Sequence, residues 1–275
     1  MGAIVVFGSI NIDLVVRTGR HPRPGETLLG GAFATHPGGK GGNQAVAAVQ
    51  LGGDVRMVGC VGRDAFGVEL VAGLVEAGVD VAGVRRVDGS SGVALITVDE
   101  SGENTIVVAP GANNSVTAGE LPLNGASVLL AQLEVPIAEV ASALRQARAA
   151  GLITVLNAAP ATALDAAVLE FVDVLIVNEH ELGLLTPPTG MHVVLTLGAR
   201  GMLVDGLAIE AHHVEVVDTT GAGDACCGAL VAALADGQPL LEAARTGNAA
   251  GAVACTIVGA RLIGPTRDQI ADLLK

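Results

Sequence analysis

The segment from Asp218 to Asp224 has an aspartate at each end and small residues between them. It follows a strand-like apolar run at 214–217. An apolar, helix-like run comes next. A helix start leaves about four backbone N–H groups without intrahelical partners and carries roughly half a positive charge, so it attracts anions. Gly221 and Gly223 let phosphate oxygens approach that backbone. Asp224 then has two interpretations: a base for a substrate hydroxyl, or an ordinary aspartate favoured by the helix dipole.

A second glycine-rich segment, 36–43, holds four glycines around Lys40. It is not a Walker A loop, because Gly41 follows the lysine where Ser or Thr is required. This composition has two interpretations. The glycines allow the backbone to approach a small polar ligand closely, or the segment is a plain flexible loop. A helix is predicted to follow at 44–51.

Polar residues also recur where predicted strands end. In a doubly wound sheet the carboxyl ends of the strands converge on one crevice, and ligands bind there. Taken alone, Asn11 and Asp13 are equally consistent with a turn, but the set together predicts a site. Its members are Asn11, Asp13, Glu134, Asn178, Glu181, Thr196 and the segment 218–224.

Strand-like and helix-like runs alternate from residue 127 onward, which predicts an α/β fold with a doubly wound parallel sheet in a single domain over 1–275. Segments at about 14–35 and 92–109 are predicted to form a small β-sheet that covers the site as a lid, with a hairpin in the second. Three further predictions concern single elements. They are a helix capping box at Thr117 and Glu120, a connection at 182–188 too short for a full crossover helix, and two helices at 239–245 and 247–256.

Composition narrows the class of protein. The chain of 275 residues is 51% apolar with 38 glycines, which indicates a folded core with many tight turns. A formal net charge of −13 argues against nucleic acid or an anionic membrane as the main partner. No basic, apolar leader and no run of roughly 18 apolar residues is found, so a cytoplasmic location is expected. The spacing of the four cysteines favours buried thiols in a reducing compartment.

The order and spacing of these motifs resemble the phosphofructokinase-B family of sugar kinases, and within it the ribokinase branch. The resemblance covers nearly the whole chain. It implies a parallel-sheet core, a small β lid that also forms a homodimer interface, and ATP-dependent phosphorylation of a sugar hydroxyl. The matching segments are Gly8-Ser9-Ile10-Asn11-x-Asp13, Gly38-Gly39-Lys40-Gly41-x-Asn43-Gln44-Ala45, Asn178-x-x-Glu181 and Asp218-Thr219-x-Gly221-Ala222-Gly223-Asp224.

Residue by residue, the resemblance implies three groups of contacts. The implied sugar-binding residues are Asn11, Asp13, Gly39, Lys40, Asn43, Glu134 and Asp224, with Ala94 and Ile96 as lid contacts. The implied nucleotide contacts are Asn178, Thr196, Gly198, Gly201, Gly223 and Asn248. The implied metal contacts are Glu181 for Mg²⁺, through water, and Asp218, Thr220, Ala254, Ile257 and Gly259 for a monovalent cation such as K⁺.

By the same resemblance, Asp224 is the general base and the N–H groups of Gly221, Ala222 and Gly223 form an anion hole. The leading hypothesis is phosphorylation of the 5-hydroxyl of D-ribose. Deoxyribose, another sugar or a nucleoside is the alternative substrate. A sugar-binding protein without efficient catalysis is a further alternative, since the short connection between Asn178 and Thr196 trims the nucleotide half. A dinucleotide-dependent dehydrogenase fits poorly, because Cys226 stands where G-x-G-x-x-G needs its third glycine.

The sequence departs from the family pattern at two positions. Ile263 stands where the family offers a small polar ligand to the monovalent cation, so dependence on K⁺ is a question for experiment. Asn248 replaces a His found in some relatives.

Overall fold

The computed structural model describes residues 2–257 and 265–274. In this part of the chain the strands form two sheets, one of nine strands and one of four. In chain order the strands are β1 (Ala3–Phe7), β2 (Asn11–Arg17), β3 (Phe33–Gly38), β4 (Val55–Gly62), β5 (Asp80–Val87), β6 (Gly92–Val98), β7 (Asn104–Ala109), β8 (Ala126–Ala131), β9 (Ile153–Asn157), β10 (Val174–Asn178), β11 (His192–Thr196), β12 (Met202–Val204) and β13 (Leu207–Ile209). The α-helices are α1 (Lys40–Gln50), α2 (Ala65–Glu76), α3 (Ile137–Ala149), α4 (Ala166–Leu169), α5 (Glu179–Leu182), α6 (Ala222–Ala235), α7 (Leu240–Ala254) and α8 (Arg267–Leu273).

The large sheet has the order β13-β12-β11-β10-β9-β8-β1-β4-β5. It is parallel from β11 to β5, and β12 and β13 add an antiparallel edge. Side chains alternate along β1, so Ile4 and Val6 enter one core while Val5 and Phe7 enter another on the opposite face. Helices cover both faces, which confirms the predicted doubly wound α/β fold.

The small sheet has the order β3-β2-β6-β7. The β2–β6 pair is parallel and the other two pairs are antiparallel, so the predicted β6–β7 hairpin is confirmed. Its first strand begins earlier than the predicted lid boundary at residue 14. Asn11 and Asp13 belong to β2 because their backbone pairs with Gly38 and His36 on one side and with Gly92 and Ala94 on the other.

Helix α1 begins at Lys40 and not at Gln44, so the glycine-rich segment is partly helical. Gly41 and Gly42 have low helix propensity, but a Cβ on Gly41 would lie 2.7 Å from the backbone nitrogen of Ser9. The missing side chain therefore allows the helix to pack directly on the turn after β1, and this contact outweighs local propensity.

Two local predictions in the middle and late parts of the chain are wrong. Residues 116–125, all of them described, are not helical, because Ala118 donates to Glu139 (2.7 Å) and accepts from Gln146 (2.7 Å) on α3. The predicted strand at 214–217 joins neither sheet in the described chain, and the Val217 N–H instead bonds the Cys255 carbonyl at 2.8 Å.

The predicted helices at 239–245 and 247–256 are a single helix, α7. Gly247, the first residue of the second predicted helix, lies inside α7 and packs on α6, where a Cβ would lie 2.8 Å from the Cys226 carbonyl oxygen. The connection between β10 and β11 contains only the four-residue α5, so no full crossover helix is present in this described segment, as predicted. None of the helices in the described ranges is long and apolar enough to cross a membrane.

Candidate active site

Helices α1 and α6 lie side by side and begin at the same end. Gly228 on α6 allows this approach, since a Cβ there would lie 2.5 Å from the Cβ of Ala47. Near the two helix starts, Asn43 and Gln44 on α1 each donate a hydrogen bond to Asp224 on α6. The pair of helices therefore sets the position of Asp224.

A cavity of about 210 Å³ opens at these two helix starts. All the residues predicted to bind the sugar line it, together with four residues that were not in that set. The lining residues are Asn11, Asp13, Gly39, Lys40, Asn43, Ala94, Ile96, Ile106, Val108, Glu134, Thr220, Gly221 and Asp224. Ile106 and Val108 lie on β7 directly opposite Ile96 and Ala94, so the register of the predicted hairpin contained the signal for them.

The Asp224 carboxylate has a donor on each oxygen. Asn43 Nδ2 donates to Oδ2 and Gln44 Nε2 donates to Oδ1, both at 2.9 Å. Gln132 Nε2 in turn donates to Gln44 Oε1 at 2.6 Å, and both glutamine side chains are fully buried. Sequence analysis assigned no role to Gln44 or Gln132. Together they fix the orientation of the carboxylate without reaching the cavity lining.

Glu134 is oriented in a similar way. Its Oε2 accepts the Ser9 hydroxyl and the Lys40 backbone N–H, the latter at 2.9 Å. Ser9 is fully buried and lies within a recognised motif, but its role is visible only from this contact across 125 positions of the chain. The carboxylate of Glu134 is thus anchored between the turn after β1 and the start of α1.

Lys40 is the cation of the cavity. Burial alone would lower the pKa of its ammonium group, but the carboxylates of Asp224 and Glu134 outweigh burial and raise it. The ammonium therefore stays charged among acids. The preceding Gly39 has φ 86°, and a Cβ there would lie 2.7 Å from the Asn11 nitrogen, so only glycine fits this turn.

The start of α6 is open. Gly221 adopts the left-handed conformation with φ 78°, and no side chain caps the helix. A Cβ on Gly223 would meet nothing within 4 Å. First-turn N–H groups without a capping side chain can bind an anion that approaches from the cavity.

Two of the residues predicted to contact the nucleotide lie at the ends of β10 and β11, whereas Gly223 lies on α6 and Asn248 on α7. Asn178 and Thr196 are paired neighbours in the sheet. Asn178 and Glu181 form a capping box, with the Glu181 N–H donating to Asn178 Oδ1 at 2.8 Å and the Asn178 N–H donating to Glu181 Oε2 at 2.9 Å. Glu181 is buried, so it is not a charge on the surface of the protein.

Gly201 and Asn248 meet at the backbone that follows β13. A Cβ on Gly201 would lie 2.1 Å from the Ile209 carbonyl oxygen, and Asn248 Nδ2 donates to the Glu210 carbonyl at 2.7 Å. Gly198 starts the short 3₁₀ turn Gly198–Arg200 with φ 59°. These three positions therefore flank one face at the edge of the large sheet.

The segment with Asp218 and Thr220 packs against the end of α7. The N–H groups of Val217 and Asp218 donate to the Cys255 carbonyl at 2.8 and 3.2 Å. This contact brings the segment beside the chain that includes Ala254 and Ile257. Gly259, the remaining position of the cation prediction, and Ile263, which departs from the family pattern, lie outside the described residues.

The vicinal thiols of Cys226 and Cys227 are buried behind Asp224. Burial raises the pKa of Cys226 to about 12 and that of Cys227 well above its ordinary value. Both thiols are therefore protonated near neutral pH and serve as packing residues, in accord with the sequence analysis.

Comparison with known proteins places this geometry in a family. Residues 1–267 match the model described as pfkB family carbohydrate kinase. The chain belongs to this family. A ribokinase from Schizosaccharomyces pombe is 39% identical over 87% of each chain, and one from Bacillus subtilis is 36% identical over the full length of both. The structure of Arabidopsis thaliana ribokinase complexed with ribose and ATP is 29% identical, with a TM-score of 0.89 over 100% of this kinase and 99% of that chain.

Proposed function

We propose that this carbohydrate kinase transfers the γ-phosphoryl group of ATP to the 5-hydroxyl of D-ribose and forms ribose 5-phosphate. The observation that carries the proposal is the position of Asp224, which faces the cavity of the predicted sugar residues from the first turn of an uncapped helix. The ribokinases to which the chain is similar support the choice of ribose and ATP.

The sugar is recognised by groups of fixed hydrogen-bonding character. Each sugar hydroxyl both donates and accepts, whereas the carboxylates of Asp13 and Glu134 only accept and the ammonium of Lys40 only donates. Such groups, held at fixed positions, select one arrangement of hydroxyls over its stereoisomers. Ala94 and Ile96 on the small sheet supply an apolar wall over the sugar.

Asp224 accepts the proton of the 5-hydroxyl as that oxygen attacks the γ-phosphorus. A carboxylate is a weak base for an alcohol, but phosphoryl transfer has a loose transition state in which the proton moves late. Orientation of the carboxylate then matters more than its basicity. The hydrogen bonds from Asn43 and Gln44 provide that orientation.

The start of α6 stabilises the negative charge on the transferring phosphoryl group. The N–H groups of Gly221, Ala222 and Gly223 and the helix dipole act together as an anion hole. The fold sets the position of these groups before the reaction begins, and the Ala222 N–H, which bonds the Thr219 carbonyl at 3.3 Å, would turn toward the phosphate or be shared with it.

ATP is held beside the carboxyl ends of β10 and β11, where the proposed contacts are Asn178, Thr196, Gly198, Gly201, Gly223 and Asn248. Glu181 suits Mg²⁺, since it is a buried carboxylate close enough to Lys40 to contribute to the raised pKa of that lysine. It would hold the ion through water, and the bound ion would neutralise charge on the phosphates. A monovalent cation would be held by the chain at Asp218, Thr220, Ala254, Ile257 and Gly259.

We also propose a cytoplasmic homodimer that assembles through the small sheet, which acts as a lid. Three apolar side chains of that sheet are more than half exposed in the single chain and lie outside the cavity lining. Apolar exposure of this kind is typical of a protein–protein interface. The three are Phe33, Leu95 and Val107.

A coupled assay of ATP consumption with D-ribose and Mg²⁺ tests the activity, and Asp224→Asn tests the base. We expect this variant to lose roughly 10²-fold or more in kcat while it still binds ribose, because the amide cannot accept the proton. Asp236→Asn, at the other end of α6 and exposed, is the matched control. Near-normal turnover in Asp224→Asn would rule out the assignment.

Deoxyribose and nucleosides as competing substrates test the alternatives, and assays with and without K⁺ test the cation.

A further inference from the structure

Asn113 is a buried amide with no role in the proposed reaction. It lies in the 3₁₀ turn Gly111–Ser115, does not line the cavity and is 1% exposed. Its Oδ1 accepts the Ile10 N–H at 3.0 Å, and its Nδ2 donates to Asn11 Oδ1 at 2.6 Å. The turn at Asn113 is thus joined to the residue that starts β2 and lines the sugar cavity.

These contacts determine the orientation of two amide groups, first that of Asn113 and then that of Asn11. A backbone N–H only donates, so Asn113 must present its oxygen to Ile10. Its nitrogen then faces Asn11, and a nitrogen of this kind only donates, so Asn11 must present its own oxygen in return. The amide nitrogen of Asn11 is left for the cavity side.

The packing around the pair holds both side chains in place, so the only freedom left to each amide is to exchange its oxygen and nitrogen, and their hydrogen-bond partners decide that choice. A Cβ on Gly92 would lie 2.1 Å from Asn11 Oδ1 and 2.3 Å from Asn113 Nδ2. The two amides therefore pack directly on the backbone at the start of β6. Asn11 itself is 3% exposed, so its side chain has no open solvent into which it can turn.

We infer that Asn113 is a positioning residue that fixes Asn11 as a hydrogen-bond donor to one sugar hydroxyl. The inference rests on the proposed function, because it takes the sugar as the occupant of the cavity. Asn11 then complements the acceptor carboxylates of Asp13 and Glu134. The hydroxyl that it contacts is one that the kinase requires, and a sugar without that hydroxyl leaves a buried donor unpaired.

Asn113→Asp tests the inference with almost no change in shape. The new carboxylate still accepts from Ile10, but it cannot donate to Asn11. Asn11 then turns its nitrogen toward residue 113 and its oxygen toward the cavity, where the sugar hydroxyl loses its donor. We expect the KM for D-ribose to rise by about tenfold or more, the value of one hydrogen bond, with kcat changed less than about threefold.

Analogues of ribose that lack the hydroxyl at C1, C2 or C3 give a readout that a general loss of structure would not produce. Wild-type protein should discriminate against one analogue in particular, and Asn113→Asp should lose that discrimination alone. Asn114→Asp is the matched control, because it adds the same charge one residue away on an exposed side chain. It should leave every KM unchanged.

Asn11→Asp is a second variant that tests the same geometry if Asn113→Asp does not fold. It keeps an acceptor for Asn113 Nδ2 but presents an oxygen to the cavity, so it should lose discrimination against the same analogue. Unchanged discrimination in either folded variant would overturn the inference. Sugar affinity is also measured by calorimetry. Wild-type protein that binds ribose without turnover would contradict the proposed function alone, and weaker ribose binding in both variants would still support the role of Asn113.

Discussion

The Asp224 carboxylate depends on residues that never touch the cavity. Gln44 donates to it, and Gln132 holds Gln44 from the far side, on the strand-to-loop junction after β8. The carboxylate only accepts, so Gln44 presents its nitrogen to Asp224 and its oxygen to Gln132, and this buried arrangement holds the carboxylate in one orientation.

At this residue scale we predict the effect of Gln44→Met, which keeps the length of the side chain but removes the donor. We expect kcat to fall about tenfold, because a slightly misplaced base loses alignment with the 5-hydroxyl, while KM for ribose stays within about threefold. The free energy of unfolding should fall by about 1–3 kcal/mol, since Gln132 loses its partner. Gln50→Met, at the other end of α1, is the control. A rise in KM at constant kcat would contradict the role.

At the scale of elements, the sequence predicted the strands that are long and buried. Strands β1 and β8 to β11 read as continuous apolar runs because both faces of the sheet are covered. The short edge strands β12 and β13 have neither a long apolar run nor a clear alternation, so they were missed. Gly247 is the first residue of the second of two predicted helices, although it lies inside α7 and is a contact point between helices, and only tertiary packing distinguishes these two uses of glycine.

Prediction of the candidate site from the sequence is limited in the same way, because some of its contacts appear only in the folded structure. The sequence identified most of the residues that line the cavity as site residues, but not Ile106 and Val108. The residues that orient this lining are bound to partners far along the chain. Ser9 lies 125 positions from Glu134, Asn113 lies 102 from Asn11, and Gln44 lies 180 from Asp224 and 88 from Gln132. A buried polar side chain gives no local indication of its partner, so its role appears only when the fold brings the two together.

Helix α2 gives an element-scale prediction that concerns pH. Asp64 caps α2 through the Gly67 N–H at 2.7 Å and also accepts the Ser91 N–H and hydroxyl at 2.8 and 2.7 Å, so it ties the helix to the start of β6. Burial alone would raise the pKa of the Asp64 carboxyl, but these hydrogen bonds outweigh burial and lower it. Its ionised form therefore stabilises the folded state above the unfolded pKa, and this contribution is lost as pH falls through the folded pKa.

Asp64→Asn, which cannot ionise but can still cap a helix, should lower the free energy of unfolding by about 1 kcal/mol at neutral pH. The difference from wild type should shrink as pH falls below about 4, where the unfolded state takes up a proton first, and it should vanish only below the lowered pKa of the folded state, where the aspartate is protonated in both states. Urea unfolding at several pH values measures it, and Asp88→Asn, on a fully exposed side chain, is the control. A difference that is independent of pH would contradict the electrostatic origin.

At the scale of the whole molecule, a net charge of −13 opposes association between copies, so a dimer needs an apolar surface large enough to overcome repulsion. The small sheet offers that surface. Val107 is opposite Leu95 in the β6–β7 register, and both are exposed on positions that alternate with the cavity-lining Ile106, Val108, Ala94 and Ile96.

Val107→Glu should therefore convert the proposed dimer to a monomer without changing a residue that lines the cavity. Burying a carboxylate in an apolar interface is strongly unfavourable, so we expect the dimer dissociation constant to rise by about 10²-fold or more. Sedimentation velocity over a range of concentrations measures this constant. Leu207→Glu replaces an equally exposed apolar residue on β13, at the far edge of the large sheet, and should leave the dimer intact. If Leu207→Glu dissociates the dimer and Val107→Glu does not, assembly uses the sheet edge and the lid sheet has another role.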